Sequence, residues 1–254
     1  MLLSSATKEF VFGVQPVVEC LKSEQDVERV LIQKNLTGDQ IKGVMMLATK
    51  MGVPVQKVPV EKLNRVTRKI HQGVICYISA VQYASLDNVL QTAYERGEAP
   101  LILVLDQITD VRNFGAIART AECAGVHGIV IPDKGGAQIG ADAMKTSSGA
   151  LNHIPICRTP RLTETVKFLK ESGLQVVGCT EKAEDSLYDA SFVEPLAIVM
   201  GSEESGISPD IRRLCSSEVK IPLHGKVGSM NVSVATAVVT YEALRQRIKE
   251  NASK

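Results

Sequence analysis

Hydrophobic and polar positions alternate in two rhythms along the first third of the chain. Short apolar runs typical of β-strands are separated by segments in which apolar residues recur every three or four positions, as on one face of a helix. The pattern predicts a compact α/β module of about 75 residues. Its predicted elements are helices at 14–21, 37–52 and 61–69, and strands at 27–33, 53–60 and 73–83.

A second and longer α/β pattern begins at residue 101. Its strand-like runs are almost continuously apolar and are joined by helical or glycine-rich connections, which indicates a mainly parallel sheet covered on both faces. A long helix at 230–250 ends the pattern, and an apolar stripe along its second half would pack on its own sheet or on a second subunit. The stripe consists of Val238, Tyr241, Leu244 and Ile248. The predicted strands are 101–105, 128–132, 153–157, 175–179, 196–200 and 218–222.

A polar segment at 84–99 separates the two patterns. It contains Gly97 and is followed by Pro100, a composition typical of a linker that has room for one short helix. The sequence therefore predicts an N-terminal domain at 1–83, a linker at 84–99 and a C-terminal domain at 100–254.

The net charge of +1 hides an uneven distribution. Residues 1–83 hold 11 Lys and Arg against 7 Asp and Glu, a surplus of +4, whereas the rest of the chain holds 18 against 21, a balance of −3. The first domain is therefore the better candidate for binding a polyanion. Four basic residues around its predicted helix 61–69 suit phosphate contacts, three of them on one helical face, although such a face can also be plain solvated surface. The three are Lys62, Arg65 and Lys69, and the fourth is Arg68.

Cysteine and histidine spacing gives no sign of a metal site. The six cysteines lie far apart without a CxxC pair, and the four histidines occur singly. We therefore expect no metal, and we expect the cysteines to be reduced and to lie in the core. No apolar run approaches the roughly 20 residues needed to span a bilayer, so the sequence predicts a cytoplasmic protein with no membrane partner.

The turn after the first strand of the second pattern holds candidate chemistry. Asn113 stands where a helix N-cap belongs, and Arg119 lies off the core-facing stripe of the helix that follows. Because helical side chains lean toward the N-terminus, Arg119 can reach back over two small residues to the carboxyl end of the strand, where ligands bind in open α/β sheets. The core stripe consists of Phe114, Ile117, Ala118, Ala121 and Ala124.

Two more strand ends open into glycine-bearing loops with polar groups. Gly201 follows a buried strand and is close to the acids Glu203 and Glu204, while Ser229 and Asn231 precede the final helix. Each loop alone could be an ordinary turn or helix cap, but three such loops in one domain indicate a binding site. Neither a GxGxxG turn nor a Walker A loop is present, so hydride transfer and nucleotide hydrolysis are disfavoured.

The three loops together resemble a known family. The stretches "NFGAIARTAECAG", "IVMGSEESGIS" and "IPLHGKVGSMNVSVATAVVTYEA" resemble, in order and spacing, the three motifs of the SpoU (TrmH) family of RNA ribose 2′-O-methyltransferases in the SPOUT superfamily. The stretches "FVFGVQPVVECL" and "HQGVICYIS" resemble the small L30e-like module that precedes the catalytic domain in the 23S rRNA guanosine methyltransferase subgroup. The resemblance covers nearly the whole chain.

This resemblance implies a fold and a set of site residues. The fold is a C-terminal SPOUT-type α/β knot, with a mainly parallel sheet and a deep trefoil knot, preceded by the L30e-like α/β domain. S-adenosylmethionine would bind in the knot of a homodimer. The implied catalytic residues are Asn113, Arg119, Glu203, Ser229 and Asn231, and the backbone of Gly201, Ile221 and Met230 would line the cofactor pocket. Close relatives often have a smaller residue after the motif 2 glutamate, so Glu204 is given no role.

The implied reaction is methylation of a ribose 2′-hydroxyl, most closely that of a guanosine in 23S rRNA. Methyl transfer from a sulfonium releases a neutral thioether, so aligning the hydroxyl is the main difficulty. We expect Arg119 to contact the 2′-oxygen and a neighbouring phosphate, and Asn113 to orient it. Two alternatives stay open at this point, namely a tRNA ribose methyltransferase and a non-catalytic scaffold for rRNA. The N-terminal module favours rRNA over tRNA as the partner.

Overall fold

Two compact units make up the chain. The computed structural model describes residues 10–23 and 26–252, and its contacts group residues up to 82 with 139–141 in an N-terminal unit, and 83–138 with residues from 142 onward in a C-terminal unit. The domain limits predicted from the sequence, including the linker at 84–99, stay a prediction, and the first nine residues of the predicted N-terminal domain lie outside the described part.

A four-stranded sheet with helices on both faces forms the N-terminal unit. Its strand order is β1-β4-β2-β3, in which β2 pairs parallel with β3, while β1 and β2 run antiparallel to β4. The elements are β1 (Phe10–Phe12), α1 (Val14–Lys22), β2 (Val27–Gln33), α2 (Asp39–Lys50), β3 (Val55–Val58), α3 (Val60–Val66) and β4 (Val74–Ile78).

The alternation of side chains along β2 explains this layering. Val30 and Ile32 lie in the core shared with α1 and α2, whereas Leu31, between them, lies in a smaller core with Leu63 of α3. The sequence predicted β2 correctly. It did not predict the three-residue strand β1, and it placed the end of α3 three residues too late.

A six-stranded parallel sheet forms the centre of the C-terminal unit. The order is β10-β8-β9-β5-β6-β7, and every registered pair among these strands is parallel. The predicted mainly parallel sheet is therefore confirmed, and β7 and β10 are shifted from their predicted limits. The strands are β5 (Leu101–Leu105), β6 (Gly128–Pro132), β7 (Ile156–Thr159), β8 (Gln175–Cys179), β9 (Leu196–Met200) and β10 (Ser217–Val219).

Helices cover both faces of this sheet. Apolar residues of α4 and α7 share a core with Ile102, Val130 and Val199 on one face, while α5 and α9 pack against each other and α9 against β9. Most of the predicted linker is thus the helix α4, whose apolar side is buried in this core. No helix in the described part of the chain is long and apolar enough to cross a membrane. The helices are α4 (Leu86–Glu95), α5 (Val111–Cys123), α6 (Ala141–Thr146), α7 (Leu162–Glu171), α8 (Pro209–Arg212) and α9 (Val232–Asn251).

The apolar stripe of α9 does not face the sheet. Tyr241 and Ile248 are 47 % and 60 % exposed, and Val238 and Leu244 are half-buried. The buried side of α9 includes Val232, Thr236, Val239, Thr240 and Ala243. The sequence predicted that the stripe packs either on its own sheet or on a second subunit. For Tyr241 and Ile248, packing on the sheet is therefore excluded.

The expectation of six core cysteines is wrong in part. All six are free, but Cys123 is exposed on α5, and Cys179 and Cys215 are half-buried. Cys123 follows the buried Ala121 by two positions on a helix, which turns its side chain away from the sheet.

Candidate active site

The candidate site lies at the carboxyl edge of the parallel sheet. Because β5 and β9 are neighbouring parallel strands, the loops that follow them leave the sheet at the same edge. The first loop leads into α5, the second returns as the hairpin 201–208, and the loop after β10 leads into α9. The fold thus brings together the three segments singled out in the sequence.

Asp110, and not Asn113, is the N-cap of α5. Its Oδ1 accepts hydrogen bonds from the backbone N–H groups of Arg112 at 2.7 Å and Asn113 at 3.1 Å. The bond from the Asn113 N–H, followed by that from Arg112, lowers the pKa of the Asp110 carboxyl. The N-cap position predicted for Asn113 is wrong, because α5 begins at Val111 and its N-cap lies three residues before Asn113. The side-chain amide of Asn113 therefore does not cap α5.

One carboxylate oxygen joins the three loops. Glu203 Oε1 accepts hydrogen bonds from Asn113 Nδ2 at 3.1 Å, from Asn231 Nδ2 at 2.6 Å and from the Val232 backbone N–H at 3.1 Å. Asn231 Nδ2 also donates to Asn113 Oδ1 at 3.0 Å. The structure thus brings three of the five predicted catalytic residues into one hydrogen-bonded group, here called the Glu203 cluster.

Asn231 also caps the final helix. Its Oδ1 accepts from the backbone N–H groups of Ser233 at 2.9 Å and Val234 at 3.4 Å. Of the two polar residues that precede α9, Ser229 and Asn231, it is therefore Asn231 that caps the helix. Glu203 therefore lies at the N-terminus of α9, where the partial positive charge of the helix favours a carboxylate.

The hairpin 201–208 is held close to the end of β5. A Cβ on Gly201 would lie 2.1 Å from the carbonyl carbon of Gly206, so any side chain there would displace the hairpin backbone. The buried Asp106, which directly follows β5, accepts a 2.6 Å hydrogen bond from the Ser208 backbone N–H at its Oδ2. These two contacts fix the base of the hairpin that presents Glu203.

A cavity of about 330 Å³ opens beside the Glu203 cluster. It is lined by the predicted residues Gly201, Glu203, Ile221, Ser229 and Met230. Sequence reasoning missed a further wall of this cavity, the segment after β8, because the position of β8 beside β9 is not visible in the sequence. This wall consists of Cys179, Thr180, Glu181 and Lys182.

The chemistry of this cavity suits a cationic organic cofactor. Met200, Ile221 and Leu223 give it an apolar side, and the carboxylates of Glu181 and Glu203 can offset a positive charge. Burial raises the pKa of Cys179 to about 11, so its thiol is neutral at physiological pH. The volume is within the range of small-molecule sites.

A second cavity of about 650 Å³ adjoins the first at the hairpin. Asn113 lines only the second cavity, whereas Glu203 and Val232 line both cavities. The exposed Lys134 stands at its edge. Two adjoining spaces that meet at the Glu203 cluster can hold a methyl donor and an acceptor side by side.

Arg119 is not part of either cavity. Its side chain is exposed on α5, six residues or about 9 Å along the helix axis from Asn113. Within the described part of the chain it makes no hydrogen bond or ion pair, and the Asn113 amide is bonded to Glu203 and Asn231 instead. Its predicted contact with the ribose and its orientation by Asn113 therefore stay predictions.

The four predicted RNA-binding residues lie in the N-terminal unit and are all exposed. Lys62 and Arg65 are on α3, but Arg68 and Lys69 lie in the loop after it. The prediction that Lys69 shares a helical face with Lys62 and Arg65 is wrong. The helix ends at Val66 because Thr67 takes an extended backbone conformation and its Oγ1 accepts from the Lys69 N–H, which competes with helical bonding.

Two family models match this chain and together cover most of it. The SpoU rRNA Methylase family matches residues 100–241, and the description "RNA 2′-O ribose methyltransferase substrate binding" matches residues 10–84. The chain belongs to the SpoU methylase family. The first match contains all five predicted catalytic residues and the three predicted cofactor-binding ones. The chain is an RNA 2′-O-ribose methyltransferase of this family.

Relatives and solved structures of the SpoU family agree with this assignment. YacO of Bacillus subtilis, named as a TrmH family tRNA/rRNA methyltransferase, is 37 % identical over 96 % of this chain and 98 % of its own length. The SpoU methyltransferase AviRb from Streptomyces viridochromogenes, crystallised with AdoMet, has a TM-score of 0.61 at 24 % identity over 94 % of this chain and 90 % of AviRb, a likeness of fold. The A. aeolicus TrmH/SpoU tRNA modifying enzyme has a TM-score of 0.56 at 28 % identity, covering 64 % of this chain and 86 % of that one.

Proposed function

We propose that this protein transfers a methyl group from S-adenosylmethionine to the ribose 2′-hydroxyl of a guanosine in 23S rRNA. The observation that carries the proposal is the Glu203 cluster, in which one carboxylate joins Asn113 and Asn231 where two cavities meet. A ligand in the 330 Å³ cavity and a nucleotide in the 650 Å³ cavity would face each other across this cluster.

The chain's own residues supply positioning and charge. S-adenosylmethionine, when bound, supplies a methyl group on a positively charged sulfur. Gly201, Ile221 and Met230 line the cofactor side, where Glu203 offsets the positive charge. A ribose 2′-hydroxyl held beside the Glu203 cluster would give its proton to solvent, and the cofactor, on losing its methyl group to the 2′-oxygen, would be released as a neutral thioether. Alignment of these atoms is the main contribution of the protein.

The polar residues of the three loops orient the acceptor. Asn113 and Asn231 fix the Glu203 carboxylate, and the exposed Ser229 hydroxyl lines the cofactor cavity beside it. Arg119 is permanently protonated, so we assign it stabilisation of the developing negative charge on the 2′-oxygen and contact with a phosphate. It would reach the nucleotide when RNA lies across α5.

Ribosomal RNA is the favoured partner over tRNA. The N-terminal unit matches a substrate-binding family model, and the solved tRNA modifying enzyme of A. aeolicus matches 64 % of this chain. The exposed basic residues of the N-terminal unit would contact RNA phosphates, which makes binding salt-dependent. These residues are Lys62, Arg65, Arg68 and Lys69.

Three further features belong to the proposal. The exposed apolar stripe of α9 supports a homodimer, because a helix that leaves Tyr241 and Ile248 in water is stabilised when a second copy covers them. We also propose that the C-terminal unit forms a deep trefoil knot and that the protein is cytoplasmic.

Mapping ribose methylation in cells lacking the gene tests the function. We expect one guanosine of 23S rRNA to lose its 2′-O-methyl group and the purified protein with S-adenosylmethionine to restore it in vitro. Loss of a tRNA methylation instead would favour the tRNA alternative. Calorimetric titration with S-adenosylmethionine tests the scaffold alternative, which predicts no saturable heat.

A further inference from the structure

The loop after α3 exposes an apolar side chain among basic ones. Ile70 is 87 % exposed, the highest value for a large apolar side chain in the described part of the protein. It follows Arg68 and Lys69, and residues 61–70 contain four basic residues and one acidic residue. Neither Arg68 nor Lys69 makes a hydrogen bond or ion pair through its side chain to any described residue. Residues 67–70 are called the tip loop below.

The structure holds the tip loop firmly at its start. The Thr67 backbone N–H donates to the Leu63 carbonyl at 3.0 Å, which closes the last turn of α3. The Thr67 Oγ1 then accepts from the Lys69 N–H at 3.2 Å, so the hydroxyl fixes the direction in which the loop leaves the helix.

A buried histidine holds the tip loop at its end. His71 Nδ1 accepts a 2.9 Å hydrogen bond from the Gly73 N–H, so the proton of the neutral ring is on Nε2, which lies 2.9 Å from Asn64 Oδ1. One imidazole therefore links α3 to the start of β4. Asn64 and His71 flank the tip loop in sequence and fix its two ends relative to each other.

Two neighbours of His71 add to this anchoring. The Gln72 Oε1 accepts from the Val14 N–H at the start of α1 at 2.9 Å. Gly73 has a φ of 74°, a conformation that favours glycine, and a Cβ there would lie 2.5 Å from Leu36 Cδ2. The anchoring involves α1, α3 and β4, whereas Arg68, Lys69 and Ile70 of the tip loop are exposed.

An anchored loop that exposes an apolar tip is organised to bind something outside the protein. A β-branched side chain on a fixed backbone loses little conformational entropy when it is covered. The basic residues beside it favour a polyanion that also offers an apolar surface. RNA with unpaired bases offers both, since phosphates flank bases whose faces are apolar and accessible to side chains.

We propose that the tip loop reads an unpaired base of the substrate RNA, with Ile70 packed against the base and Arg68 and Lys69 on the flanking phosphates. Asn64 and His71 act as positioning residues that hold the loop in the binding conformation. This inference rests on the proposed function, because it takes the RNA substrate of that function as the ligand.

Substitution of Ile70 tests the base contact. Full-length Ile70→Ala should bind transcribed 23S rRNA fragments about fivefold more weakly than the wild type. The slope of log affinity against log salt should stay unchanged, since no charge is removed. Arg68→Ala should reduce that slope by about 0.7. Met46→Ala is the matched control, because Met46 is 73 % exposed on α2 of the same unit and should leave binding unaltered.

Binding to a fully paired RNA duplex distinguishes a contact with a base from nonspecific hydrophobic binding. Because a duplex has no free base faces, wild type and Ile70→Ala should bind it equally. Ile70→Ala that binds the rRNA fragments as tightly as the wild type would overturn the inference, as would an equal loss on the duplex. Either result would favour a partner of another class for this apolar tip.

Substitution of Asn64 tests the positioning role. Asn64→Gln keeps a neutral amide oxygen that can accept from His71 and should stay within about twofold of the wild type in RNA affinity, whereas Asn64→Leu should lose several-fold. S-adenosylmethionine affinity should not change in either variant. Equal RNA affinity in both would remove the positioning role.

The proposed function and this inference fail in different ways. A wild-type protein that binds rRNA through Ile70 but methylates no transcript and binds no S-adenosylmethionine would overturn the function and leave the tip loop as an RNA contact. A wild type that methylates while Ile70→Ala matches it in affinity and rate would overturn the inference alone.

Discussion

Glu203 holds three donors on one carboxylate oxygen, although the residue itself is exposed. Two of the donors are side-chain amides from other loops, so the carboxylate both orients them and joins the loops. Its neighbour Glu204 is also exposed and lines both cavities, yet it makes no hydrogen bond or ion pair among the described residues. The two adjacent acids therefore differ in contacts while they share charge and environment.

This difference predicts unequal effects of two matched substitutions. Glu203→Ala should lower the methylation rate on RNA by about a hundredfold, because it frees Asn113 and Asn231 and leaves the Val232 N–H without its acceptor. Glu204→Ala removes the same charge and should keep the rate within about threefold of the wild type. Single-turnover methylation with saturating cofactor measures both. Equal losses would show that charge, and not the hydrogen-bonded cluster, matters.

Arg119, in contrast to Glu203, is a predicted catalytic residue that makes no hydrogen bond or ion pair to any described residue. Arg119→Lys should keep S-adenosylmethionine affinity, since Arg119 lines no cavity, and should lose most methyl transfer, about a hundredfold, because an ammonium cannot bridge the 2′-oxygen and a phosphate as a guanidinium can. Cofactor titration and single-turnover rates separate these effects. Unchanged turnover would remove the assigned role.

The hairpin 201–208 depends on the buried carboxylate of Asp106, the residue that directly follows β5. Asp106 is 4 % exposed and accepts from the Ser208 N–H, which would otherwise lack an acceptor. The hairpin carries Glu203, so the position of the Glu203 cluster depends on this contact at the base of the hairpin.

Two substitutions at Asp106 test this dependence. Asp106→Asn keeps an acceptor oxygen, whereas Asp106→Ala leaves the Ser208 N–H unpaired, and we expect the alanine variant to lose about 1–3 kcal/mol of unfolding free energy more than the asparagine variant. Cofactor affinity should fall in the same order. Urea unfolding and calorimetric titration give the two quantities. If both variants matched the wild type in cofactor affinity, the hairpin would be fixed by other contacts.

Several elements show where sequence reasoning succeeds and where it stops. The limits of β5, β6, β8 and β9 were predicted correctly, because a strand buried on both faces reads as one apolar run between turn residues. The end of α3 was predicted wrongly, because it is decided by a single hydroxyl, that of Thr67, which accepts a hydrogen bond from the Lys69 N–H. The N-cap of α5 was also predicted wrongly, since Asp110 and Asn113 are both good capping residues and lie three positions apart.

The whole protein carries an apolar surface along α9 that one copy leaves uncovered. Tyr241 and Ile248 of the apolar stripe are 47 % and 60 % exposed, and Val234, seven residues before Tyr241 on the same side of the helix, is 48 % exposed. In the proposed homodimer, this stripe forms part of the interface between two copies.

Charge placed on this stripe should therefore break the dimer. Tyr241→Glu with Ile248→Glu should shift the protein from dimer to monomer in sedimentation or light scattering at micromolar concentration, because a buried unpaired carboxylate costs several kcal/mol. Met46→Glu is the control and should stay dimeric, because Met46 is an apolar residue of the N-terminal unit that is 73 % exposed and lies outside the stripe. A monomeric wild type, or a dimeric double variant, would contradict the assignment of the stripe.

Local periodicity and residue type at strand ends were enough to predict the two α/β patterns, the mainly parallel sheet and the three loops that carry the motif residues. The order of the strands was not predicted, and this order adds the segment after β8 to the cavity wall and brings Asn113 to Glu203. The reason is that these neighbours are distant in sequence, 90 residues apart for Asn113 and Glu203, and their geometry is set by strand order and packing, which no local pattern encodes.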